Sequence, residues 1–404
     1  VLLVSLAFPP KQDAEVLQVA KLYKYLSALP DIDLHVATSE ETSRLSSILT
    51  PKVHTDASVT QFELYTNRYV NYALLRFLPG LASRPDIKRR AISQAHTICK
   101  NLPWRPDIVL SRSYPISSAL LGQAIAEHFD SPWVMQLSDP WSLSPFHPNG
   151  YAKDWNSSVE AKAFARASLV TFTSTRTMAK YVRAYPDRAE RMRYFPNTYD
   201  PEQNILNPWV RGEKFRIVYT GTLGGSRLPD ILCQAVELLF TRLPQTRGQV
   251  ELVIAGHADR AVRAYLATKL NYVDWRGPVS FDQSMDLIRS ADVLALIDNK
   301  PPAGLASDDR YEFFPSKLLD YMLGQRPILG VSEAGSLSST VIDNLGLGTC
   351  FTHDQVDRLS AALEDKWRAW QTDLRQDFEL SGLDDSYDAR ASALRLYQEM
   401  KGLI

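Results

Sequence analysis

The chain has 404 residues, which at roughly 150 residues per domain excludes a single small module and allows two domains of about 200 residues. Hydrophobic residues make up 45% and charged residues 23%, so the chain can bury a sizeable core and is neither a disordered tail nor a fibre. Lysine and arginine total 45 against 46 acids, and the resulting net charge of -1 gives no overall attraction to nucleic acid.

Cysteine usage and hydropathy bear on the compartment. Cys99, Cys233 and Cys350 are odd in number, far apart and without the Cys-x-x-Cys spacing of zinc or redox sites, which favours a reducing, cytoplasmic environment. The apolar run 1–8 has no basic flank and meets two prolines, so we interpret it as a buried first strand rather than a signal peptide. No apolar run approaches the roughly 20 residues of a membrane-spanning helix.

Short apolar, β-branched runs alternate with longer amphipathic stretches, which is typical of a parallel sheet covered by helices. In the first half of the chain, the predicted strands are Val1–Leu6, Leu34–Thr38, Asp107–Ser111, Trp133–Leu137 and Leu169–Thr173. The predicted helices are Ala14–Leu29, Ile116–His128, Val159–Ala167 and Thr175–Ala184.

The same alternation starts again after the polar, proline-bearing stretch 196–208, which we interpret as a linker. The predicted strands are Phe215–Thr220, Val250–Ala255, Tyr272–Trp275, Val293–Ile297, Pro327–Val331 and Thr349–Thr352. The predicted helices are Pro229–Thr241, Arg260–Leu270, Phe281–Ser290, Ser316–Leu323, Gln355–Trp370 and Tyr387–Met400. We therefore predict two doubly wound α/β domains facing across a cleft, over 1–203 and 204–384, followed by a last helical segment, 385–404.

The strongest local signal is the segment 312–321, Glu-Phe-Phe-Pro-Ser-Lys-Leu-Leu-Asp-Tyr. It places Glu312 in a loop, a helix start at Ser316, and a second acid, Asp320, about one turn into the helix. The free N–H groups of such a helix start favour an anion such as a diphosphate, and Lys317 adds a cation beside it. Taken alone, the two acids also fit an ordinary surface loop and a solvated helix face.

This segment resembles the motif of an acid, seven residues and a second acid in the retaining family 4 glycosyltransferases, which have two facing Rossmann-like domains, the GT-B fold. Two positions depart from the family: Asp320 stands where glutamate is usual, and Phe313 stands where a small residue is common. The resemblance implies that Glu312 lies near the donor sugar and that Asp320 binds the ribose hydroxyls. It also implies that the first domain binds the acceptor and the second binds a nucleotide sugar. The last helical segment, 385–404, is expected to cross back to the first domain, as in the family.

A glycine-rich loop, 218–227, follows the first strand of the second domain and reads Val-Tyr-Thr-Gly-Thr-Leu-Gly-Gly-Ser-Arg. Its glycines allow the backbone to approach a pyrophosphate, and Arg227 can contact the phosphates in bidentate fashion. A tight strand-to-helix connection explains the same glycines without a ligand. With the resemblance taken into account, the residues assigned to the donor are Gly221, Thr222, Gly224, Ser316, Asp320 and His257.

On the acceptor side, Asp139 follows the strand Trp133–Leu137 and is expected to project into the cleft. It can orient an acceptor hydroxyl or act as a base, and an Asx turn explains it equally well, so both interpretations stay open. Lys11 and Gln12 follow the first strand and are candidate acceptor contacts, although the Gly-Gly pair of related enzymes is absent there. His147 lies further from the strand end and ranks lower.

The stretch 62–90 mixes aromatic and basic residues and has two interpretations. One is a helix packed by its aromatic side chains with solvated arginines. The other is a surface for an anionic membrane, where a lipid-linked acceptor would be found.

Other classes of enzyme lack support. The sequence has no His-x-x-x-His helix, no clustered Asp-x-Asp of metal-dependent transferases, no Gly-x-Ser-x-Gly elbow and no Gly-Lys-Ser phosphate loop. These absences argue against hydrolases and nucleoside triphosphatases, and we expect no metal or other cofactor.

We therefore predict a retaining glycosyltransferase of the hexosyl type that moves a sugar from a UDP- or GDP-linked donor to a saccharide or lipid-linked acceptor. Its catalytic residues are predicted to be Glu312, Asp139, Arg227 and Lys317. The resemblance implies bacterial cell-surface polysaccharide or glycolipid synthesis, in the cytoplasm or at the inner face of the plasma membrane.

Two alternatives remain. One is a nucleotide-binding scaffold of the same fold that has lost turnover, which the shortened Asp320 and the missing Gly-Gly pair favour. The other is a nucleotide-sugar epimerase on the same two-domain fold.

Overall fold

The structure, a computed structural model, describes residues 1–9, 11, 13–40, 59–64, 68–145, 151–203, 210–300, 314–374, 377–380 and 383–404. These residues form two compact units: Val1–Thr198 with Asp385–Ile404, and Tyr199–Asp384. The sequence analysis placed the division slightly later, after residue 203. Within the described ranges, no helix is long and apolar enough to cross a membrane.

The first unit is built on a parallel sheet. Its strands are β1 Leu2–Val4, β2 His35–Glu40, β3 Val59–Glu63, β4 Val109–Ser113, β5 Trp133–Leu137, β6 Leu169–Phe172 and β7 Met192–Tyr194. They lie side by side in the order β3-β2-β1-β4-β5-β6-β7. Leu2 and Val4 pack into one core while Leu3 packs into another, so both faces of the sheet are covered and its central strands read as continuous apolar runs.

The helices that accompany this sheet are α1 Ala14–Ser27, α2 Arg68–Phe77, α3 Pro79–Ala82, α4 Ala95–Asn101, α5 Ile116–Phe129, α6 Tyr151–Arg166 and α7 Thr175–Ala184. Short 3-10 helices elsewhere in the chain cover Arg89–Gln94, Pro186–Arg191, Pro201–Gln203, Pro244–Thr246 and Asp385–Tyr387. Helix α1 begins after Asp13, whose carboxylate accepts the N–H of Val16 at 2.8 Å and caps the first turn.

The second unit repeats the plan. Its strands are β8 Phe215–Thr220, β9 Val250–Ala255, β10 Val273–Gly277, β11 Val293–Ile297, β12 Ile328–Val331 and β13 Gly348–Phe351. Its helices are α8 Asp230–Arg242, α9 Arg260–Ala267, α10 Phe281–Arg289, α11 Lys317–Gly324, α12 Leu337–Asn344 and α13 Val356–Gln371. The parallel strands lie in the order β10-β9-β8-β11-β12-β13, so the chain changes direction across the sheet between β8 and β11. Such a switch point is where doubly wound proteins bind ligands.

The last helix, α14 Ala389–Lys401, belongs to the first unit. Its side chains Ala393, Leu396 and Met400 are buried in the same core as Val19 and Tyr23 of α1. The chain thus starts and ends in the same core.

The predicted class of two doubly wound α/β domains is confirmed, but some elements differ from the sequence analysis. Helices α3, α4 and α12, each of eight residues or fewer, were not predicted. Strands β3 and β7 were not predicted either, because they are short, polar members at the edges of the sheet. Helix α6 begins at Tyr151 rather than Val159, since its first two turns are too polar to show an apolar period. Helix α2 forms, but Tyr69, Tyr72 and Phe77 are exposed, so the interpretation of a helix packed by its aromatics is wrong.

Tyr321 joins three elements at the end of β8. Its buried hydroxyl donates to the carbonyl of Ala295 in β11 and accepts the N–H of Thr220 in β8, both at 3.0 Å. Helix α11, which carries Tyr321, is thereby fixed to the two strands at the switch point.

We expect Tyr321→Phe to lower the free energy of unfolding by about 1–3 kcal/mol, because it removes both bonds while leaving the core volume nearly unchanged. Urea unfolding followed by circular dichroism measures the loss. Tyr72→Phe, at an exposed tyrosine, is the control and should unfold like the wild type. Equal stability of Tyr321→Phe and the control would contradict this role.

Candidate functional site

The loop after β8 starts with two backbones in close contact. Gly221 has a φ of +130°, and its N–H donates to the carbonyl of Ala255 at 2.8 Å. A Cβ at Gly256 would collide with the carbonyl of Gly221, and a Cβ at Gly221 would lie 2.7 Å from Nζ of Lys317. Glycine is therefore required at both positions. These contacts bring the start of α11 against the end of β8.

The end of β8 and the start of α11 form a corner, and the hydroxyl of Tyr219 lies at its centre. Nζ of Lys317 donates to the hydroxyl of Tyr219 at 2.7 Å and lies 4.1 Å from the centre of its ring. The guanidinium of Arg227 also hydrogen-bonds this hydroxyl, which in turn donates to the carbonyl of Thr222 at 3.0 Å. Two cationic side chains thus meet at one neutral group.

The ionisation of this cluster reflects the crowding of its cations. The pKa of Lys317 is lowered from 10.5 to about 7, because burial removes its hydration and Arg227 repels its charge, while Asp298 partly opposes the shift. Burial also raises the pKa of Tyr219, so this hydroxyl stays neutral. An anion placed beside Lys317 would favour the charged lysine.

Arg227 has hydrogen-bonding capacity left over. The chain turns tightly at this residue, with reciprocal bonds of 3.0 Å between the backbones of Gly224 and Arg227. Its Nε atom is buried and has no hydrogen-bond partner among the described residues. A buried guanidinium N–H without a partner is costly, and an anion would satisfy it.

Helix α11 begins beside these cations. Ser316 precedes it in a helical conformation, and no side-chain capping bond forms there within the described part of the chain. The N–H groups of the first turn carry the positive end of the helix dipole. Ser316 and Asp320 are both half-buried, with Asp320 in that same first turn. His257 is exposed after β9, and its carbonyl accepts the N–H of Leu223 at 2.8 Å.

An acid next to this corner is held by a separate network. Asp298 follows β11, and its carboxylate accepts the hydroxyl of Ser332 at 2.6 Å. Within the described residues, no group of three or more His, Cys, Asp or Glu side chains could hold a metal ion. The two cationic side chains at the hydroxyl of Tyr219 are what suits this corner to an anion.

The first unit carries a hydrogen-bonded cluster around Glu15 and Arg112 at the corresponding edge of its sheet. Oε1 of Glu15 accepts Nε of Arg112 at 2.8 Å, and both side chains are largely buried. The same oxygen accepts the hydroxyl of Ser138 at 2.5 Å and the N–H of Tyr114 at 3.2 Å. The other arm of Arg112 donates to Oδ1 of Asn197 at 2.8 Å. The start of α1 is thus tied to the ends of β4, β5 and β7.

Asp139 lies beside this cluster. It is exposed to solvent, yet its pKa is raised from 3.8 to about 6, because its carboxyl loses hydration and faces negative Glu15, while Arg112 opposes the shift. A carboxylate that is exposed and readily protonated suits contact with a hydroxyl group.

The structure gathers some of the predicted residues and not others. Thr222, Arg227 and Lys317 meet at the hydroxyl of Tyr219. Gly221 lies against the amine of Lys317, and Gly224 pairs with the backbone of Arg227. The amine of Lys11 is engaged within its own unit, donating to the carbonyl of Leu6 at 2.7 Å and to the hydroxyl of Ser39 at 2.9 Å. Glu312, Gln12 and His147 lie outside the described residues.

Tyr219, Glu15 and Arg112 were not predicted as site residues. Tyr219 lies in the predicted strand Phe215–Thr220 and was given no role. Arg112 gave a signal, since a charged residue inside the run Val-Leu-Ser-Arg-Ser is unusual for a buried strand and demands a partner.

Comparison with known proteins agrees with this architecture. Residues 17–198 match the family model described as Glycosyl transferase 4-like domain, and this match ends at the last residue of the first segment of unit one, Val1–Thr198. A search of curated proteins gives no match.

Three solved structures illustrate the similarity over the whole chain. HepE of Anabaena in complex with UDP has a TM-score of 0.63 at 16% identity, covering 100% of this chain and 99% of its own. The lipopolysaccharide outer core galactosyltransferase WaaB has a TM-score of 0.60 at 14% identity, covering 99% and 98%. A putative UDP-N-acetylglucosamine 2-epimerase from Listeria monocytogenes has a TM-score of 0.62 at 12% identity, covering 99% and 95%.

The shared fold follows from these likenesses and from the two sheets of equal topology. The match to a glycosyltransferase family model supports an enzyme that uses a nucleotide sugar. The chain therefore has the GT-B fold and carries a match to a glycosyl transferase 4-like domain in its first unit.

Proposed function

We propose that this protein is a glycosyltransferase that moves a hexose from a nucleoside diphosphate sugar to an acceptor hydroxyl, with retention at the anomeric carbon. The observation that carries the proposal is the meeting of Arg227 and Lys317 at the hydroxyl of Tyr219, beside the start of α11. A diphosphate supplies the charge that two adjacent cations and a helix start require. HepE, of similar fold, binds UDP, which supports UDP among the UDP- and GDP-linked donors expected from the sequence.

In the proposed reaction, the bond between the anomeric carbon and the β-phosphate oxygen breaks. A bond from the acceptor oxygen to the same carbon forms on the same face, and the acceptor proton passes to an oxygen of the departing diphosphate. Arg227, Lys317 and the first N–H groups of α11 stabilise the charge that develops on the diphosphate. This electrostatic contribution is usually the largest in such a site. The cations belong to the protein, so the proposal requires no metal.

The remaining roles follow the family resemblance. Glu312 is assigned to the donor sugar and Asp320 to the ribose. The other donor contacts are assigned to Gly221, Thr222, Gly224, Ser316 and His257. On the acceptor side, Asp139 orients the acceptor hydroxyl, with Lys11 and Gln12 as further contacts. Lys11 can contribute only if its amine leaves the carbonyl of Leu6.

The acceptor proposed here is a saccharide or a lipid-linked saccharide used in bacterial cell-surface polysaccharide or glycolipid synthesis. WaaB, a lipopolysaccharide outer core galactosyltransferase of similar fold, supports this setting. A cytoplasmic location, at the inner face of the plasma membrane, fits the free thiols of Cys99, Cys233 and Cys350.

An epimerase is the second candidate, because a putative UDP-N-acetylglucosamine 2-epimerase shares the fold over nearly the whole chain. Incubation with the donor alone separates the two enzymes. NMR of the sugar would show a new epimer for an epimerase, whereas a transferase leaves the sugar configuration unchanged. A scaffold without turnover would bind the nucleotide and change nothing.

The donor site is tested by thermal unfolding with UDP, GDP, ADP, dTDP and CMP. We expect one diphosphate to raise the melting temperature, since a ligand at 100 times its dissociation constant stabilises the native state by about 2.7 kcal/mol. Asp320→Ala should lose most of this shift. Asp282→Ala, which removes an exposed acid from the first turn of α10, is the matched control and should keep it. The proposal fails if no nucleotide stabilises the wild type.

A second prediction concerns Asp139. Its folded pKa of about 6 exceeds the usual 3.8, so the folded state binds the proton more tightly, and above the folded pKa the charged carboxylate destabilises the protein. Asp139→Asn should therefore raise the melting temperature at about pH 7.5, and the gain should shrink as pH falls towards about 4. Asp187→Asn, at an exposed acid of the same unit, controls for lost charge. A gain that is constant with pH would contradict the shifted ionisation.

A further inference from the structure

Helix α2 and the turn after it form an exposed surface in the first unit, which we call the α2 surface, residues 69–90. Its large apolar side chains face solvent: Tyr72 is 69% exposed, Phe77 73% and Leu78 55%. Tyr69 and Leu75 are exposed as well. Monomeric proteins rarely leave such a cluster in water without a function.

Exposed aromatic and basic groups follow one another along a stripe of this helix. Tyr69, Tyr72 and Arg76 are spaced three and four residues apart and therefore follow one stripe, and Phe77 lies next to it. The guanidinium of Arg76 lies 5.8 Å from the centre of the Phe77 ring. Aromatic and cationic groups are thus mixed at the same surface, rather than separated into an apolar face and a polar one.

The α2 surface is strongly basic in a protein whose net charge is close to zero. Residues 76–90 contain five basic side chains and one acidic side chain. The acid, Asp86, is already used inside the protein, where it accepts the N–H and the hydroxyl of Ser117 at 2.8 and 2.7 Å. Of the five basic side chains, Arg76 and Arg90 are exposed, so the charge that this surface presents to solvent is positive.

The α2 surface is anchored to the body of its unit. Asp86 holds it to the start of α5, and Nδ2 of Asn156 in α6 donates to the carbonyl of Ser83 at 2.7 Å. The anchoring point also lies close to Glu15: Ser117 follows Tyr114 by three residues, and the N–H of Tyr114 donates to Oε1 of Glu15 at 3.2 Å. The hydroxyl of Ser138, the residue before Asp139, donates to the same oxygen, so the α2 surface is tied to the part of the unit that carries Asp139.

We infer that the α2 surface docks on an anionic lipid bilayer, with the tyrosine, phenylalanine and leucine side chains at the level of the headgroups and the basic side chains on the lipid phosphates. Amphipathic segments rich in aromatic and basic residues bind membranes in this way, through apolar burial together with attraction to anionic lipid. The positive charge favours this occupant over an uncharged apolar partner. A second copy of this chain would place basic side chains against one another.

Docking here would bring Asp139 to the membrane surface, where a lipid-linked acceptor lies. This link to the acceptor rests on the proposed function, but docking itself does not require sugar transfer.

The test is sedimentation of the full chain with phosphatidylcholine vesicles, with and without phosphatidylglycerol. We expect binding only to the anionic vesicles, weakening with salt, and a loss of at least roughly tenfold in partition for Tyr72→Ser with Phe77→Ser. Arg76→Glu with Arg90→Glu should lose binding similarly. Leu270→Ser is the matched control, because Leu270 is also 73% exposed but lies in the other unit.

Each outcome decides the inference. Absence of wild-type binding, or equal binding by the double variants and the control, would overturn it. Self-association in place of membrane binding would also overturn it. In that case the wild type would show a concentration-dependent mass in solution, Tyr72→Ser with Phe77→Ser would abolish that mass increase, and the wild type would not bind vesicles. The nucleotide-induced thermal shift, measured on the same proteins, reports folding and the donor site in the other unit, so failure of docking is distinguished from failure of the proposed function.

Discussion

The corner between the end of β8 and the start of α11 depends on one contact, in which the hydroxyl and ring of Tyr219 hold the amine of Lys317 beside Arg227. A Cβ at Gly221 would crowd this amine, and Tyr321 fixes α11 to the neighbouring strands. Two like charges in a half-buried corner repel each other, and the protein tolerates this by weakening the proton affinity of the lysine. The repulsion between Arg227 and Lys317 would be relieved by an anion bound beside them.

The first six strands have the same order in both sheets, but the charges that follow them differ between the two units. Both sheets place their first strand beside the fourth, and in both the notable polar groups follow the carboxyl ends of the central strands. The second unit gathers cations there, whereas the first places an acid, Asp139, next to an ion pair between Glu15 and Arg112. This division fits a reaction in which one partner carries a diphosphate and the other a hydroxyl.

The sequence predicted those parts of the fold that local pattern determines. The bounds of Trp133–Leu137, Val250–Ala255 and Val293–Ile297 are as predicted, because buried parallel strands are short apolar runs. Edge strand β7 contains an arginine and could not be recognised by the same pattern. The loop and helix-start residues of this corner were singled out from the glycine-rich loop and the segment 312–321. Tyr219 was not, because a tyrosine in a strand gives the same sequence signal whether it packs in a core or binds a cation. Likewise, no pattern reveals whether the aromatics of α2 point inwards or into solvent.

The most direct test of the central claim is calorimetric titration of UDP at several pH values between about 7 and 9, above the second phosphate pKa of about 6. A diphosphate beside Lys317 should raise the lowered pKa of this lysine, so binding should take up a proton and weaken as pH rises through this range. In Lys317→Arg, which stays charged, the proton uptake and the pH dependence should disappear. If wild-type binding takes up no proton, or if Lys317→Arg shows the same pH dependence as the wild type, the diphosphate does not bind at this lysine and the account of the corner is wrong.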